Sequence, residues 1–169
     1  MGLIYKKNIL ENRFNINDNM VNKALQYAKD KHKGQLDDDN NDYFKAHILN
    51  VYNIAKQVSD DNDFLCAAIL HDTIEDCEVS AADIEREFNK NISELVMELT
   101  HDKTDNGNVF PRLCTKQGIM LKFCDRLSNL SRMDNWNINR QNQYLRRSKF
   151  WKSSEKDMII LGQKKGEDI

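Results

Sequence analysis

The chain has little that would interrupt a helix. It holds one proline and six glycines in 169 residues, so few positions force a break. Clean apolar–polar alternation is scarce too, which argues against a β-rich fold. There is no excess of either charge: 25 basic and 27 acidic side chains leave a net charge of -2, which weighs against a nucleic-acid partner. Four cysteines, Cys66, Cys77, Cys114 and Cys124, form no CxxC pair. They are too few to staple a chain of this length and are expected as free thiols in a reducing, cytoplasmic compartment. The opening "MGLIYKKNILENRF" lacks a signal-peptide apolar run, no later stretch is long enough to span a bilayer, and Lys6 stands where a myristoylation signal needs Ser or Thr. Hydrophobic residues make up 40% and charged residues 31%, enough apolar content for a core and against wholesale disorder.

What remains is helical periodicity. Met20, Ala24, Leu25 and Ala28 recur at helical spacing and predict a helix from about Asp18 to His32, stopped by Gly34. "QLDDDNNDY" follows as a polar acidic loop with little reason to fold alone. A second helix is expected from about Ala46 to Val58, and a third over about 62–73 after "SDDND". "SAAD", Ser80 to Asp83, is close to a capping box, and "NISE", Asn91 to Glu94, repeats the device. "HDKTDNGNVFP" is expected as a loop or lid, with Phe110, Pro111 and Arg112 packed in it or over a ligand. A long helix is expected over 115–132, and a last one from about Arg140 to Leu161. Six or seven helices and almost no strand predict an all-α, bundle-like single domain over 1–169, with the C-terminal helix packed on it. In "RRSKFWKSSEKDM", Phe150 and Trp151 interleave with basic residues. That pattern suits a helix docked on the bundle better than nucleic-acid binding.

The chemistry concentrates in "AAILHDTIED", residues 67–76. On a continuous helix His71 and Glu75 share one face, and Asp72 and Asp76 the neighbouring one. Three acids crowded at the end of an apolar segment repel one another, unless a divalent cation draws on the carboxylates and the imidazole. The alternative is a wet helix end with surface acids and one packed histidine. His47, close to Tyr43 and Phe44, is either a further ligand or a capping or core imidazole. Asp125 lies within the apolar "IMLKFCDRLSNL" and needs a partner there: a metal shared with His47, His71 and Asp72, or a buried salt bridge. Arg126, next in the chain, cannot easily share its face.

Four ordered motifs carry a resemblance: "ALQYAKDKHKGQ", "YFKAHILNVYNIA", "LCAAILHDTIEDCEVSAADIEREFNKNISELVMELTHDKT" and "LKFCDRLSNL", from about Ala24 to Met133. Together they resemble the HD-domain metal-dependent phosphohydrolases, and among these the alarmone hydrolases of the RelA/SpoT type and their small Mesh1-like stand-alone group. The resemblance implies an all-helical HD-domain bundle with one manganese ion held by His47, His71, Asp72 and Asp125. It also implies that Glu75 and Asp76 orient and activate water, and that the reaction removes pyrophosphate from the 3′ position of guanosine tetra- or pentaphosphate. Lys103, Arg126 and Arg132 are candidates to hold phosphate, and Asn129, one turn after Asp125, resembles the family's sugar-contacting asparagine. The partner is then a small phosphorylated nucleotide. Two rivals stay open: hydrolysis of another nucleoside mono- or triphosphate, and a non-catalytic nucleotide-binding module with a structural metal. Glu75 and Asp76 favour catalysis, because a structural site has no use for water-orienting acids. The chain departs from the family in three places. Asp37, Asp38 and Asp39 stand where a basic pair usually follows "GQ", Ile48 follows the first metal histidine in place of proline, and Ser131 takes the usual arginine place, with Arg132 one residue later.

Overall fold

The computed structural model describes residues 19–104, 107–109 and 113–148, with only the backbone at 102–104 and 107–109. Helix α1 covers 19–31 and buries Val21, Ala24 and Ala28. It ends at Gly34, whose φ of +83° suits a residue without Cβ. The acidic segment after it forms a hydrogen-bonded turn. Leu36 and Asp42 form an isolated antiparallel bridge, the Asp37 and Asn41 backbones join, and Asp37 Oδ1 accepts from the Asp39 and Asn41 N–H groups at 3.0 and 2.8 Å. An aspartate that satisfies its own following amides closes such a turn.

The second helix starts earlier than its apolar pattern suggests. It opens with a π-helical turn, Phe44–Ile48, in which the Leu49 N–H reaches the Phe44 carbonyl. It continues as α2, Leu49–Ala55, ending short of Val58. Helix α3, Asn62–Leu70, is capped by Asp61, which accepts from the Phe64 N–H at 2.8 Å. From Phe64 to Leu70 every residue is buried, so this helix lies in the core rather than along its edge. It packs against α2, α6 and α7.

The sequence suggests one helix over 62–73, but the chain turns at His71–Asp72 and restarts as α4, Thr73–Asp76, with Asp72 at its N-cap position. Helix α5, Ala81–Glu87, has the expected capping box: Ser80 Oγ accepts from the Asp83 N–H, and the Asp83 carboxylate accepts from the Ser80 N–H. Helix α6, Lys90–Leu99, is capped by Asn89 and not by Asn91; Asn91 instead donates to Asp63.

Part of the expected loop is an antiparallel hairpin, β1 (Asp102–Thr104) with β2 (Gly107–Val109), pairing Lys103 with Asn108. It is the one sheet among the described residues of an otherwise all-α bundle. Residues 110–112 and the tail beyond 148, including Phe150 and Trp151, lie outside the described residues. Helix α7, Lys116–Leu130, begins at a Thr115 cap, and α8, Ile138–Arg147, begins at an Asn137 cap.

The start of α7 depends on one side chain from α6. Glu98 Oε2 accepts from the N–H groups of both Cys114 and Thr115, at 2.9 Å each. A Cβ at Gly118 would stand 2.0 Å from that oxygen. Gly118→Ala is therefore expected to displace the carboxylate from both amides, a loss of about 1–2 kcal/mol that the helix preference of alanine over glycine, about 1 kcal/mol, offsets in part, so that stability falls by no more than about 1 kcal/mol. Chemical denaturation of the two proteins checks this.

Candidate metal centre

Four side chains from three stretches of chain converge. The π-helical turn supplies His47, the end of α3 His71, the α4 cap Asp72, and the middle of α7 Asp125. His47 and His71 are buried at 1% and 2% exposure, and Asp125 at 6%. The two imidazole Nε2 atoms face each other at 3.2 Å. Asp72 Oδ2 lies 3.0 Å from His71 Nε2 and 3.3 Å from His47 Nε2. Asp125 Oδ1 lies 3.5 Å from His47 Nε2 and 4.0 Å from His71 Nε2. The ligand atoms of His47, His71 and Asp125 all fall within 4.8 Å of one another.

The donor set fits a cation. His71 Nδ1 stands 2.9 Å from the Ala68 carbonyl, which can only accept, so the proton of the neutral ring is on Nδ1 and the Nε2 lone pair points inward. His47 Nδ1 is similarly engaged outside the centre, by Ser128 Oγ at 3.0 Å. Oriented this way, both Nε2 atoms face each other and two carboxylates, and the His71 lone pair points at that negative charge, an arrangement that a positive charge relieves. Ligands each about 2.1 Å from a shared ion stand about 3 to 3.5 Å apart at tetrahedral or octahedral angles, close to the spacing observed. The cluster is able to hold a divalent metal.

The surroundings of both carboxylates are built as carefully. The Tyr43 hydroxyl donates to Asp72 Oδ2 at 2.7 Å, and burial together with Asp72 raises the Tyr43 pKa, so it remains a donor. Asn129 Nδ2 donates to Asp125 Oδ1 at 2.8 Å, and Lys122 Nζ meets Asp125 Oδ2 at 2.9 Å. Burial opposes ionisation of both acids. His71 and His47 nevertheless hold Asp72 well below the usual carboxylate range, and Lys122 with the histidines does the same for Asp125. Asp125 thus has the salt bridge and the histidine contacts together, one on each oxygen.

Burial also opposes charge on His71, yet Asp72, its hydrogen bond and Asp125 push the pKa up from 6.5 to about 9. Without metal, the site keeps a proton where a cation would bind. Metal affinity is therefore expected to rise about tenfold per pH unit from neutral pH and to level off near the His71 value, with about one proton released per ion. Calorimetric titration in buffers of different ionisation enthalpy measures that proton. In the metal-free protein the raised pKa contributes stability that is full below 6.5 and is lost as pH rises through about 9.

Beside the centre, Glu75 Oε2 receives two hydrogen bonds from His101, from its N–H at 3.2 Å and from Nδ1 at 2.9 Å. Burial opposes ionisation of Glu75, but these bonds hold its pKa low. Asp76 moves the other way: burial, then the charges of Asp72 and Glu75, raise its pKa, while Gln35 Nε2 donates to its Oδ2 at 2.9 Å. Gln35 is itself fixed by His32 Nδ1 at 2.6 Å.

Among the candidate substrate residues, Asn129 is turned toward Asp125. Arg132 donates from Nη2 to Asn129 Oδ1 at 3.0 Å and from Nη1 to Asp37 Oδ2 at 3.1 Å. Arg126 is buried and lies 4.9 Å from the Tyr144 ring of α8. Lys103 is on β1, where its side chain lies outside the described residues. Sequence reasoning missed Gln35, His101, Lys122 and Ser128, and took Tyr43 only as an aromatic neighbour. Lys122 had a signal, since it lies one helical turn before Asp125 in an apolar stretch.

A helical bundle that buries two histidines and an aspartate with ligand atoms close enough to share a cation, with two acids alongside, defines a metal-dependent hydrolase. The family profile described as "HD domain" matches residues 24–108, and the chain belongs to the HD-domain family of metal-dependent phosphohydrolases. It is 31% identical over 136 residues to guanosine-3′,5′-bis(diphosphate) 3′-pyrophosphohydrolase MESH1 of Drosophila melanogaster, covering 72% of this chain and 76% of that protein. It is 30% identical over 141 residues to the protein of the same name from Xenopus tropicalis, covering 74% and 78%. A solved structure of a metazoan ortholog of SpoT that hydrolyzes ppGpp superposes with a TM-score of 0.68 at 24% identity, covering 85% of this chain and 92% of that one, and supports the fold. No helix among the described residues is long and apolar enough to cross a membrane.

Proposed function

We propose that the protein is a manganese-dependent phosphohydrolase that removes the 3′-pyrophosphate of a (p)ppGpp-like nucleotide, with His47, His71, Asp72 and Asp125 as metal ligands. The observation that carries this reading is the convergence of those four side chains beside Glu75 and Asp76, in a chain similar to relatives named for that reaction. When bound, the metal supplies Lewis acidity, acidifying water and offsetting charge on phosphoryl oxygens.

The chain's own residues supply the rest. Glu75, kept ionised by His101, orients the attacking water and takes its proton. Asp76, steadied by Gln35, is the second acid at the reacting phosphorus. Tyr43, Lys122 and Asn129 keep the two ligand carboxylates in place. Arg132 and Asn129 face the nucleotide, with Lys103 and Arg126 as further positive charges for phosphate.

Hydrolysis of another nucleoside mono- or triphosphate is the second reading. The acidic turn at Asp37–Asp39 favours it, because it sets negative charge beside Arg132. Product analysis on a panel of nucleotides, with manganese and with chelator, tests both. Pyrophosphate released from guanosine tetraphosphate only when manganese is present supports the first. Orthophosphate or pyrophosphate from other nucleotides alone supports the second. Tight metal binding without any turnover leaves a binding module with a structural metal.

A further inference from the structure

Two of the three aspartates in the turn after α1 are paired with arginines from the far end of the chain. Asp37 Oδ2 meets Arg132 Nη1 at 3.1 Å, and Asp38 Oδ2 meets Arg140 Nη2 at 2.7 Å. The second pair is exposed and weak. The first is sheltered, with side-chain exposures of 7% for Asp37 and 20% for Arg132. Asp37 cannot swing aside freely, because its other oxygen holds the Asp39 and Asn41 amides. Arg132 reaches the metal centre through two hydrogen bonds, to Asn129 and from Asn129 to Asp125. Its guanidinium also keeps unused capacity, since Nε is buried without a partner.

We propose that Asp37 is a specificity-determining residue that acts through Arg132: its carboxylate occupies the guanidinium edge that would otherwise take a phosphate, and so lowers the preference for the more highly charged of the phosphorylated ligands the site accepts. This rests on Arg132 being a substrate residue of a nucleotide phosphohydrolase. An arginine already neutralised by a fixed carboxylate offers a polyphosphate no net attraction, and the uncompensated acid repels it.

The test is calorimetric binding of orthophosphate, pyrophosphate and tripolyphosphate at low ionic strength, with manganese in excess of the anion. Asp37→Asn keeps the oxygen that caps the turn and puts an amide NH2 where Arg132 Nη1 meets the carboxylate, so the charge and the pair are lost together. It is expected to tighten tripolyphosphate binding about tenfold, the worth of one charge-assisted contact, and orthophosphate by less than about twofold. Asp37→Glu should restore the wild-type charge preference, and Asp37→Asn with Arg132→Gln should lose the gain. A folded Asp37→Asn protein that binds tripolyphosphate no more tightly than wild type, or a gain that survives Arg132→Gln, overturns the proposal. Turnover does not enter these affinities. A wild-type protein that hydrolyses no nucleotide refutes the proposed function, while the anion series still decides the role of Asp37.

Discussion

Asp125→Asn is expected to abolish divalent metal binding and to destabilise the metal-free protein, two losses from one carboxylate. Oδ1 faces the two histidines and Oδ2 meets Lys122, whose own exposure is 3%. Losing even an outer partner of a metal ligand costs about 10- to 100-fold in affinity, so losing a ligand should cost more than about 100-fold. Without Asp125, Lys122 becomes a buried ammonium with no carboxylate, and breaking a buried pair from one side costs about 3–5 kcal/mol. The two effects separate in a second variant. Asp125→Asn with Lys122→Met removes the stranded charge, so it should recover most of the stability and none of the metal affinity. Denaturant melts of chelator-treated protein and metal titrations read the two quantities independently. Metal affinity retained within about tenfold in either variant would remove Asp125 from the ligand set.

The sequence showed the parts of this protein that depend on neighbours along the chain. The Ser80–Asp83 box lies within three residues of its targets, and it forms. The cap at Asn89 was passed over for Asn91 because both asparagines precede the same apolar run, and only the fold shows which oxygen reaches the Ile92 N–H. The break at His71–Asp72 has no glycine or proline to announce it. Nor does the π-helical turn, which differs from an α-helix in which carbonyl the Leu49 N–H meets. The hairpin did have a signal, the turn-forming pair Asp105 and Asn106 between its strands, which reads equally as loop.

The convergence of His47, His71, Asp72 and Asp125 was legible because they sit in motifs of recognisable order. Their supports were not. The Asp37–Arg132 pair spans 95 residues and the His47–Ser128 bond 81, and no local pattern specifies such pairings. The acidic turn looked like a hindrance to an anionic substrate, and the structure adds that one of its charges is already spent on the nearest arginine. His101 was overlooked for a similar reason. Its partner Glu75 is 26 residues earlier, and the two meet only because α6 returns alongside α3.

Glu75 is where hydrolysis and binding are expected to part. Glu75→Gln keeps the size of the side chain and an oxygen that can still accept from the His101 N–H groups. It removes the charge that takes a proton from water. Because none of the four proposed ligand atoms belongs to Glu75, metal affinity should stay within a few-fold of wild type, and so should the melting temperature of the loaded protein. Turnover should fall by about 100- to 10,000-fold, the range that a positioned general base contributes. The loss should lie in kcat with KM little altered, because the group acts when the water attacks and not when the nucleotide binds. Loss of metal together with activity would instead make Glu75 part of the cation site. Full activity in Glu75→Gln would move the proton acceptor to Asp76, whose pKa is raised and whose carboxylate is steadied by Gln35; Asp76→Asn would then be the variant that keeps metal and loses turnover.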